Sequence, residues 1–262
     1  MLLDRFRLTD KVAIVTGAGR GIGAAIAVGF AEVGADVVCA ARSLDQLEET
    51  AETIRALGRR ALVVGCDVME RAQLENLVAA TIKEFGGIDL LVNNAGGTPP
   101  RPFLQTSERL FESALRFNVT SAFLLSRFAV PSMLERGAGS IVNISSAMGR
   151  LSDRGFVAYA TAKAALAHMT RNMGTELAPR VRVNAIAVGS VETSALAPFL
   201  EDDARRAEMN ARTPMRRLGT TDDIALAAIY LASSAASFVT GKVFEVDGGI
   251  EASNFPFEIP DL

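Results

Sequence analysis

The chain has 262 residues, of which 49% are hydrophobic and 22% charged, and these values exclude a disordered or fibrous protein. Its net charge of −3 argues against general binding to nucleic acids or anionic membranes. Two cysteines and one histidine are too few for a zinc site or a disulfide framework, so we predict no bound metal. The first residues lack a signal-peptide core, and no apolar run has the roughly 18 residues of a membrane span. We therefore expect a cytoplasmic protein with a single domain over residues 1–262.

Short apolar runs alternate along the chain with segments of helical periodicity. The predicted strands cover residues 12–16, 36–41, 61–66, 88–94, 140–145, 181–188 and 243–246. The predicted helices extend to about residue 33 after the first strand and then cover residues 43–57, 70–85, 107–136, 156–178, 194–211 and 221–234. Apolar strands separated by helices predict an α/β fold, a doubly wound parallel sheet of about seven strands with helices on both faces. Ligands of such folds bind at the carboxyl ends of the strands.

A glycine-rich turn follows the first predicted strand. Its spacing, G-x-x-x-G-x-G, differs from the G-x-G-x-x-G pattern of many dinucleotide sites, but the physical requirement is the same. Glycine permits the tight turn and lets the backbone approach a pyrophosphate at the beginning of the next helix. We expect the following residues of this turn to contact a dinucleotide: Gly17, Gly19, Arg20, Gly21, Ile22 and Gly23.

The end of the second predicted strand distinguishes between the two nicotinamide dinucleotides. An NAD site usually has an acidic residue there, which binds the ribose 2′-hydroxyl. In this chain the strand ends in Ala41 and is followed by Arg42, with Arg20 nearby in the glycine turn. Two guanidinium groups suit a 2′-phosphate, which accepts bidentate charge-assisted hydrogen bonds. We therefore predict NADP(H) as the cofactor rather than NAD(H).

A tyrosine and a lysine stand four residues apart in a predicted helix. Tyr159 and Lys163 lie on one helix face, and Ser146 ends the strand before them. A phenol has a pKa near 10 and is a poor acid–base catalyst at neutral pH. An ammonium group about 5 Å away supplies roughly 3 kcal/mol at an effective dielectric of about 20, and this predicts a pKa about two units lower for the tyrosine. Taken alone, the pair is most simply a solvent-facing surface pair.

The pair does not stand alone, because the chain resembles the short-chain dehydrogenase/reductase family over residues 8–250. That family has a Rossmann-type fold. The matching motifs, which occur in order at the family's spacing, are Thr16-Gly17…Gly21-Ile22-Gly23, Asp67-Val68, Asn93-Asn94-Ala95-Gly96, Asn118-Val119, Ser146, Tyr159-x-x-x-Lys163, Val239-Thr240-Gly241 and Val246-Asp247-Gly248-Gly249.

The resemblance implies an oxidoreductase that interconverts a ketone and a secondary alcohol with a nicotinamide dinucleotide, for which the arginines above predict NADP(H). Tyr159 would be the general acid or base, and Ser146 would bind the same substrate oxygen. Lys163 would bind the nicotinamide ribose and lower the pKa of the tyrosine. Asn118 would hold a water molecule that links Lys163 to solvent. The further cofactor contacts that the resemblance implies are Asp67, Val68, Asn94, Ala95, Gly96, Gly189, Val191 and Thr193.

The chain departs from the family pattern at one position. The family usually has Pro-Gly after the sixth strand, and this chain has Val188-Gly189. Because proline fixes its own backbone, we expect valine to leave the chain looser where it passes the nicotinamide.

Two loops are expected to form the substrate site, at about residues 97–105 and 190–215. The second loop carries Leu196, Pro198, Phe199, Leu200, Met209 and Met215, which favour either an apolar lid or packing against the domain. Met148, Leu151 and Phe156 would add an apolar wall if they face the cleft. Three substrates stay open: a 3-oxoacyl thioester on an acidic carrier contacted by Arg136 and Arg180, a steroid-like ketone, and a small polar ketone or sugar.

The alternative function is a catalytically silent dinucleotide-binding protein that acts as a redox sensor or scaffold. Family members usually form tetramers, so the resemblance implies a homotetramer, and we expect the residues after Gly249 to pack across a subunit interface. His168 is interpreted as a core or interface residue. Cys39 and Cys66 lie in apolar strands and are expected to be buried, inert thiols.

Overall fold

A computed structural model describes residues 1–194, 196–255 and 259, without the side chains of Pro198 and Phe199. Its seven strands form one parallel sheet in the order β3-β2-β1-β4-β5-β6-β7. The strands are β1 (Val12–Thr16), β2 (Asp36–Ala41), β3 (Ala61–Gly65), β4 (Leu90–Asn93), β5 (Gly139–Ser146), β6 (Val181–Val188) and β7 (Val243–Val246). The predicted doubly wound parallel sheet is confirmed, and each predicted strand lies within two residues of the observed one at its start and one at its end.

Helices cover both faces of the sheet. They are α1 (Gly21–Glu32), α2 (Leu44–Ala56), α3 (Arg71–Phe85), α4 (Glu108–Leu115), α5 (Ser121–Glu135), α6 (Val157–Glu176), α7 (Ala197–Leu200), α8 (Asp203–Arg212) and α9 (Thr221–Ala232). Alternation along the strands separates the two cores, since successive side chains point to opposite faces. In β1, Ala13 and Val15 belong to the core beneath α1 and α9, and Ile14 belongs to the core beneath α3 and α5.

Two predicted helices are interrupted. The long helical region at 107–136 contains a π-helical turn, Arg116–Thr120, between α4 and α5. The region at 194–211 divides into α7 and α8, because the side chain of Asp202 accepts a hydrogen bond from the backbone N–H of Ala204 and starts a new helix there.

The sheet order reverses between β1 and β4, which lie side by side although two strands separate them in the chain. In doubly wound folds the loops after two such strands diverge to opposite faces and leave a crevice at their carboxyl ends. Here Thr16, at the end of β1, connects β1 to β4 and to the loop that follows β4. Its hydroxyl donates to the carbonyl of Val92 (3.2 Å) and accepts from the backbone N–H of Asn94 (3.0 Å).

Candidate active site

A cleft of about 930 Å³ opens at the carboxyl ends of the strands. The predicted site residues that line it are Gly17, Gly19, Arg20, Gly21, Ile22, Gly23, Arg42, Asp67, Val68, Asn94, Ala95, Gly96, Ser146, Tyr159, Lys163, Gly189, Val191 and Thr193. Asn118 is the one predicted site residue that does not line the cleft, and it lies directly behind Gly97. Sequence and fold therefore bring together residues from six strand ends.

The glycines of the turn are required by close contacts. Gly17 has a positive φ of 66°, and a Cβ atom there would lie 2.7 Å from the side-chain amide nitrogen of Asn94. A Cβ atom on Gly23 would overlap the carbonyl oxygen of Gly17. The Asn94 amide donates to the carbonyl of Thr16 (2.8 Å) and so holds the turn against β4. The turn therefore forms a close-packed cradle of backbone at the beginning of α1.

The end of the cleft near β2 carries positive charge. Arg20 and Arg42 both line it and are both solvent-exposed. Arg20 is the N-cap residue of α1 and makes no side-chain capping hydrogen bond. Gln46, on the first turn of α2, also lines this end, and a Cβ atom on Gly19 would lie 3.0 Å from its Cβ. Sequence reasoning missed Gln46, whose only signal was its place one helical turn after Arg42.

The loop after β3 is fixed by its own hydrogen bonds. The carboxylate of Asp67 accepts from the backbone N–H of Met69 (3.0 Å), and the backbone N–H of Asp67 donates to the side chain of Gln73 (2.7 Å). Val68 is buried, and it lines the cleft beside Asp67. An acidic and an apolar side chain therefore meet at this wall, as expected for a pocket that takes a heterocyclic base.

The opposite end of the cleft contains the serine, the tyrosine and the lysine. Ser146 is the last residue of β5, and Tyr159 and Lys163 lie one turn apart on α6. The ammonium group of Lys163 lies 5.7 Å from the centre of the Tyr159 ring and donates to the carbonyl of Ile144 (2.8 Å). Lys163 is only 4% exposed, so the pair is not a solvent-facing surface pair.

The predicted lowering of the tyrosine pKa is wrong for this structure. Burial raises the pKa of Tyr159, and a side-chain hydrogen bond with Ser146 opposes that rise without cancelling it. Burial also lowers the pKa of Lys163 to about 8. The prediction considered only the attraction between the two groups, whereas desolvation penalises the charged form of each and outweighs that attraction.

Asn118 lies in the π-helical turn and is 2% exposed. Its side-chain oxygen accepts from the backbone N–H of Gly97 (2.8 Å), and its amide donates to the carbonyls of Ala114 (2.9 Å) and Gly97 (3.2 Å). A Cβ atom on Gly96 would lie 2.7 Å from this oxygen and 3.1 Å from the Lys163 ammonium group. Asn118 therefore fixes the loop after β4 beside Lys163.

Val188 continues β6 instead of leaving it. It pairs with Ser146 of β5 and Val246 of β7, and it is buried. Pairing with a strand on each side fixes the backbone of Val188, and the expectation of a looser backbone did not take this pairing into account. Gly189 follows, where a Cβ atom would lie 2.6 Å from the Cα atom of Asp247.

The two predicted substrate loops contribute unequally. Residues 97–100 line the cleft, as do Leu196, Met148 and Phe156. Leu151 does not line it. Two further apolar residues of the second loop, Leu200 and Met209, are buried in a small core cluster with Leu218, and Met215 is exposed. The side chains of Pro198 and Phe199 lie outside the described residues.

The segment after β7, residues 250–255, was predicted to lie at a subunit interface. That interface stays a prediction, and within the chain Ile250, Ser253, Asn254 and Phe255 line the cleft. We call residues 250–255 the post-β7 segment. Sequence reasoning missed them because nothing in the sequence indicates where a segment without periodicity lies. Of the seven residues that follow, the structure describes only Ile259.

His168 and Cys39 do not line the cleft, whereas Cys66 does. His168 is exposed on α6, so it is not a core residue, and its place at a subunit interface stays a prediction. Both cysteines are buried as predicted, and burial raises the pKa of Cys39 to about 12 and that of Cys66 to about 11. Within the described residues, no cluster of metal-ligating side chains is present and no helix is long and apolar enough to cross a membrane.

A doubly wound sheet with these residues at its carboxyl edge defines an oxidoreductase. A family model described as enoyl-(acyl carrier protein) reductase matches residues 17–251, and the chain belongs to the short-chain dehydrogenase/reductase family, whose members bind NAD(P).

Similar proteins are known both as sequences and as structures. An uncharacterized oxidoreductase of Mycobacterium tuberculosis is 54% identical over the whole of both chains. A 7α-hydroxysteroid dehydrogenase solved with NADH and 7-oxo glycochenodeoxycholic acid is 40% identical, with a TM-score of 0.91 over 94% of this chain and 96% of that one. A gluconate 5-dehydrogenase of Burkholderia cenocepacia solved with NADP and tartrate is 35% identical, with a TM-score of 0.89 over 95% and 98%.

Proposed function

We propose that this protein is a single-domain, NADP(H)-dependent oxidoreductase that interconverts a ketone and a secondary alcohol with an apolar body. One observation carries the proposal. Ser146, Tyr159 and Lys163, of which Lys163 is buried and the other two are half-buried, lie in the same cleft as the glycine turn, at its opposite end. An acid–base group and a nucleotide cradle in one cleft suit a reaction between a bound dinucleotide and a carbonyl compound.

The cleft fits a nicotinamide dinucleotide. A Cβ atom at Gly17, Gly23 or Gly96 would clash with neighbouring protein atoms, so the backbone of the turn and of the loop after β4 packs closely at the wall of the cleft. The residues that would hold the cofactor are the glycine turn, Asp67 and Val68, Asn94 to Gly96, and Gly189 to Thr193. When bound, the cofactor supplies or accepts the hydride.

Residues of the chain itself carry out the proton transfer. Tyr159 donates a proton from its phenol to the substrate oxygen in reduction and accepts it in oxidation. Its raised pKa keeps the phenol protonated at neutral pH, which favours the role of acid. Ser146 donates a hydrogen bond to the same oxygen as negative charge develops there. Lys163 binds the nicotinamide ribose, and Asn118 positions a water molecule beside it for proton delivery.

The preference for NADP(H) rests on charge at the β2 end of the cleft. Arg20 and Arg42 line this end, and the position of an NAD-binding carboxylate is taken by Ala41. The similar structures contain both cofactors, NADH in the 7α-hydroxysteroid dehydrogenase and NADP in the gluconate 5-dehydrogenase. The local residues, and not overall similarity, therefore support the choice.

Among the three substrate classes, a bulky apolar ketone is favoured. Met148, Phe156, Leu196 and Phe255 line the cleft, and the 7α-hydroxysteroid dehydrogenase was solved with a 7-oxo steroid. The family model's description concerns acyl carrier protein substrates, so a 3-oxoacyl thioester is the second candidate.

The arginines suggested for carrier docking do not support that second candidate. Arg136 forms an ion pair with the buried Asp89 (2.9 Å), and Arg180 donates to the carbonyl of Leu134. Asp89 and Arg180 immediately precede β4 and β6, so both contacts lie at the amino ends of the strands, opposite the cleft.

We propose a homotetramer as the assembly. The resemblance to the family supports this assembly, because family members usually form tetramers. Sedimentation velocity tests this proposal, since a monomeric profile contradicts it.

The function is tested by NADPH oxidation across a ketone panel. The panel contains steroid ketones, 3-oxoacyl thioesters, small diketones and sugars, with NADH in parallel. Turnover of a steroid-like ketone that is faster with NADPH than with NADH is the expected result. Tight NADPH binding without turnover of any ketone would instead favour the silent redox sensor or scaffold.

A further inference from the structure

The post-β7 segment is a built part of the cleft and not a loose extension. Ile250 and Asn254 are 3% and 4% exposed, and four of its six residues line the cleft. A segment of irregular backbone can be buried to this degree only if its polar groups find partners within the protein.

Asn254 supplies the first anchor. Its side-chain oxygen accepts from the hydroxyl of Ser190 (2.7 Å), and its amide donates to the hydroxyl of Thr213 (2.9 Å). Ser190 follows β6, and Thr213 follows α8, so the two bonds hold both ends of the second substrate loop. Thr213 is itself buried and donates to the carbonyl of Met209 (2.8 Å).

Arg150 supplies the second anchor. It lies four residues after the catalytic Ser146, and its guanidinium group donates to the carbonyl of Ile250. The same group forms ion pairs with Glu245 (3.1 Å), Asp247 (2.9 Å) and Glu251 (3.4 Å). The start of the post-β7 segment is thereby held to the loop that follows β5.

The anchored segment places an aromatic ring next to the catalytic group. The Phe255 ring packs edge-to-face on Phe156, with the centroids 5.6 Å apart and an interplanar angle of 84°. Phe156 in turn packs against the Tyr159 ring, with the centroids 6.2 Å apart. Both phenylalanines line the cleft, so Phe255 is separated from the catalytic phenol by one ring.

We propose that Phe255 is a specificity-determining residue and that the post-β7 segment forms a wall of the substrate end of the cleft. The wall accepts the apolar body of a bulky ketone, such as a polycyclic one, and adds nothing for a ketone of a few carbons. The inference rests on the proposed function for the reaction itself. It goes beyond that function because it assigns substrate selection to a segment outside the two predicted substrate loops.

The test compares Phe255→Ala with wild type on two substrates, a 7-oxo bile acid and a small diketone, with saturating NADPH. KM for the bile acid is expected to rise about tenfold, since an aromatic contact of this size is lost. We expect kcat/KM for the diketone and the Kd for NADPH to stay within about twofold, because neither ligand reaches this wall. Leu57→Ala, which truncates an exposed apolar side chain that does not line the cleft, is the control and should change nothing.

Calorimetric titration of the bile acid into the protein–NADP⁺ complex gives a readout that does not require turnover. The second variant, Asn254→Ala, keeps the Phe255 ring and removes its anchor. Weaker binding of the bile acid to both Phe255→Ala and Asn254→Ala supports the wall even if the ketone panel fails. Equal binding to wild type and both variants overturns the wall, whatever the activity. An equal loss on both substrates also overturns it, because that result makes Phe255 a structural residue.

Discussion

The two ends of the cleft are built in different ways. At the cofactor end, the contacts come from the glycine turn and from residues directly after β2, β3 and β4. At the substrate end, they come from the loops after β4, β5 and β6, the start of α6 and the post-β7 segment, which are separated by up to about 150 residues. The first end follows from local rules for turns and strand ends. The second depends also on long-range packing, which holds the post-β7 segment, a segment with no motif of its own, against the start of α6.

Tyr159 lies at the substrate end of the cleft, and its removal should have the largest effect. Tyr159→Phe is expected to lower kcat by about 10²–10⁴-fold, because the proton donor is lost, with the Kd for NADPH unchanged. Tyr230, the other tyrosine, packs against Phe6 and Phe244 away from the cleft, so Tyr230→Phe is the matched control. Unchanged turnover of Tyr159→Phe would show that Tyr159 is not the proton donor.

A glycine substitution tests how tightly the cofactor end is packed. Gly23→Ala places a Cβ atom on the carbonyl oxygen of Gly17 and is expected to destabilise the fold by about 1–3 kcal/mol, with weaker NADPH binding. Gly29→Ala, in the same helix, meets only the flexible end of Ile229 at 3.3 Å and should be tolerated. Thermal unfolding with and without NADPH measures the stability of both variants. A melting temperature of Gly23→Ala equal to that of wild type would show that the turn can accommodate a Cβ atom.

A substitution of Arg42 tests only the positive charge at the cofactor end of the cleft. Arg42→Ala is expected to raise the Kd for NADPH about tenfold, because one hydrogen bond to a charged phosphate is lost, and to leave the Kd for NADH unchanged. Arg7→Ala removes an exposed arginine from outside the cleft and serves as the control. A parallel loss for both cofactors would mean that Arg42 does not read the 2′-phosphate.

A pH dependence is also expected at the substrate end. Lys163 has a pKa of about 8, so kcat/KM for reduction should fall by up to about tenfold per pH unit above that value as the lysine loses its charge. Stability should move the opposite way. The ordinary value is 10.5, so between these two pH values the unfolded chain binds the extra proton and the free energy of unfolding rises. Denaturant unfolding at pH 7 and 10 separates the two effects, and a rate that stays flat to pH 10 contradicts the assignment.

Much of the fold could be predicted from the sequence because its signals are local. Apolar runs of four to eight residues give the strands, and the alternating order of strands and helices gives the parallel sheet. The interruption at Arg116–Thr120 was not predicted, because residues 107–136 have helical periodicity throughout. Only contacts with residues from other elements, such as Asn118 with Gly97, distinguish a π-helical turn there.

The sequence by itself determined the glycine turn, the Tyr159–Lys163 pair and the charge after β2, since each depends on residues a few positions apart. The tertiary structure decided the rest. Burial raises the pKa of Tyr159 where the lysine alone predicted a lower value, because desolvation depends on everything packed around the phenol. The place of Phe255 against Phe156 was likewise decided by long-range contacts, the hydrogen bonds of Asn254 and Arg150, which no local pattern encodes.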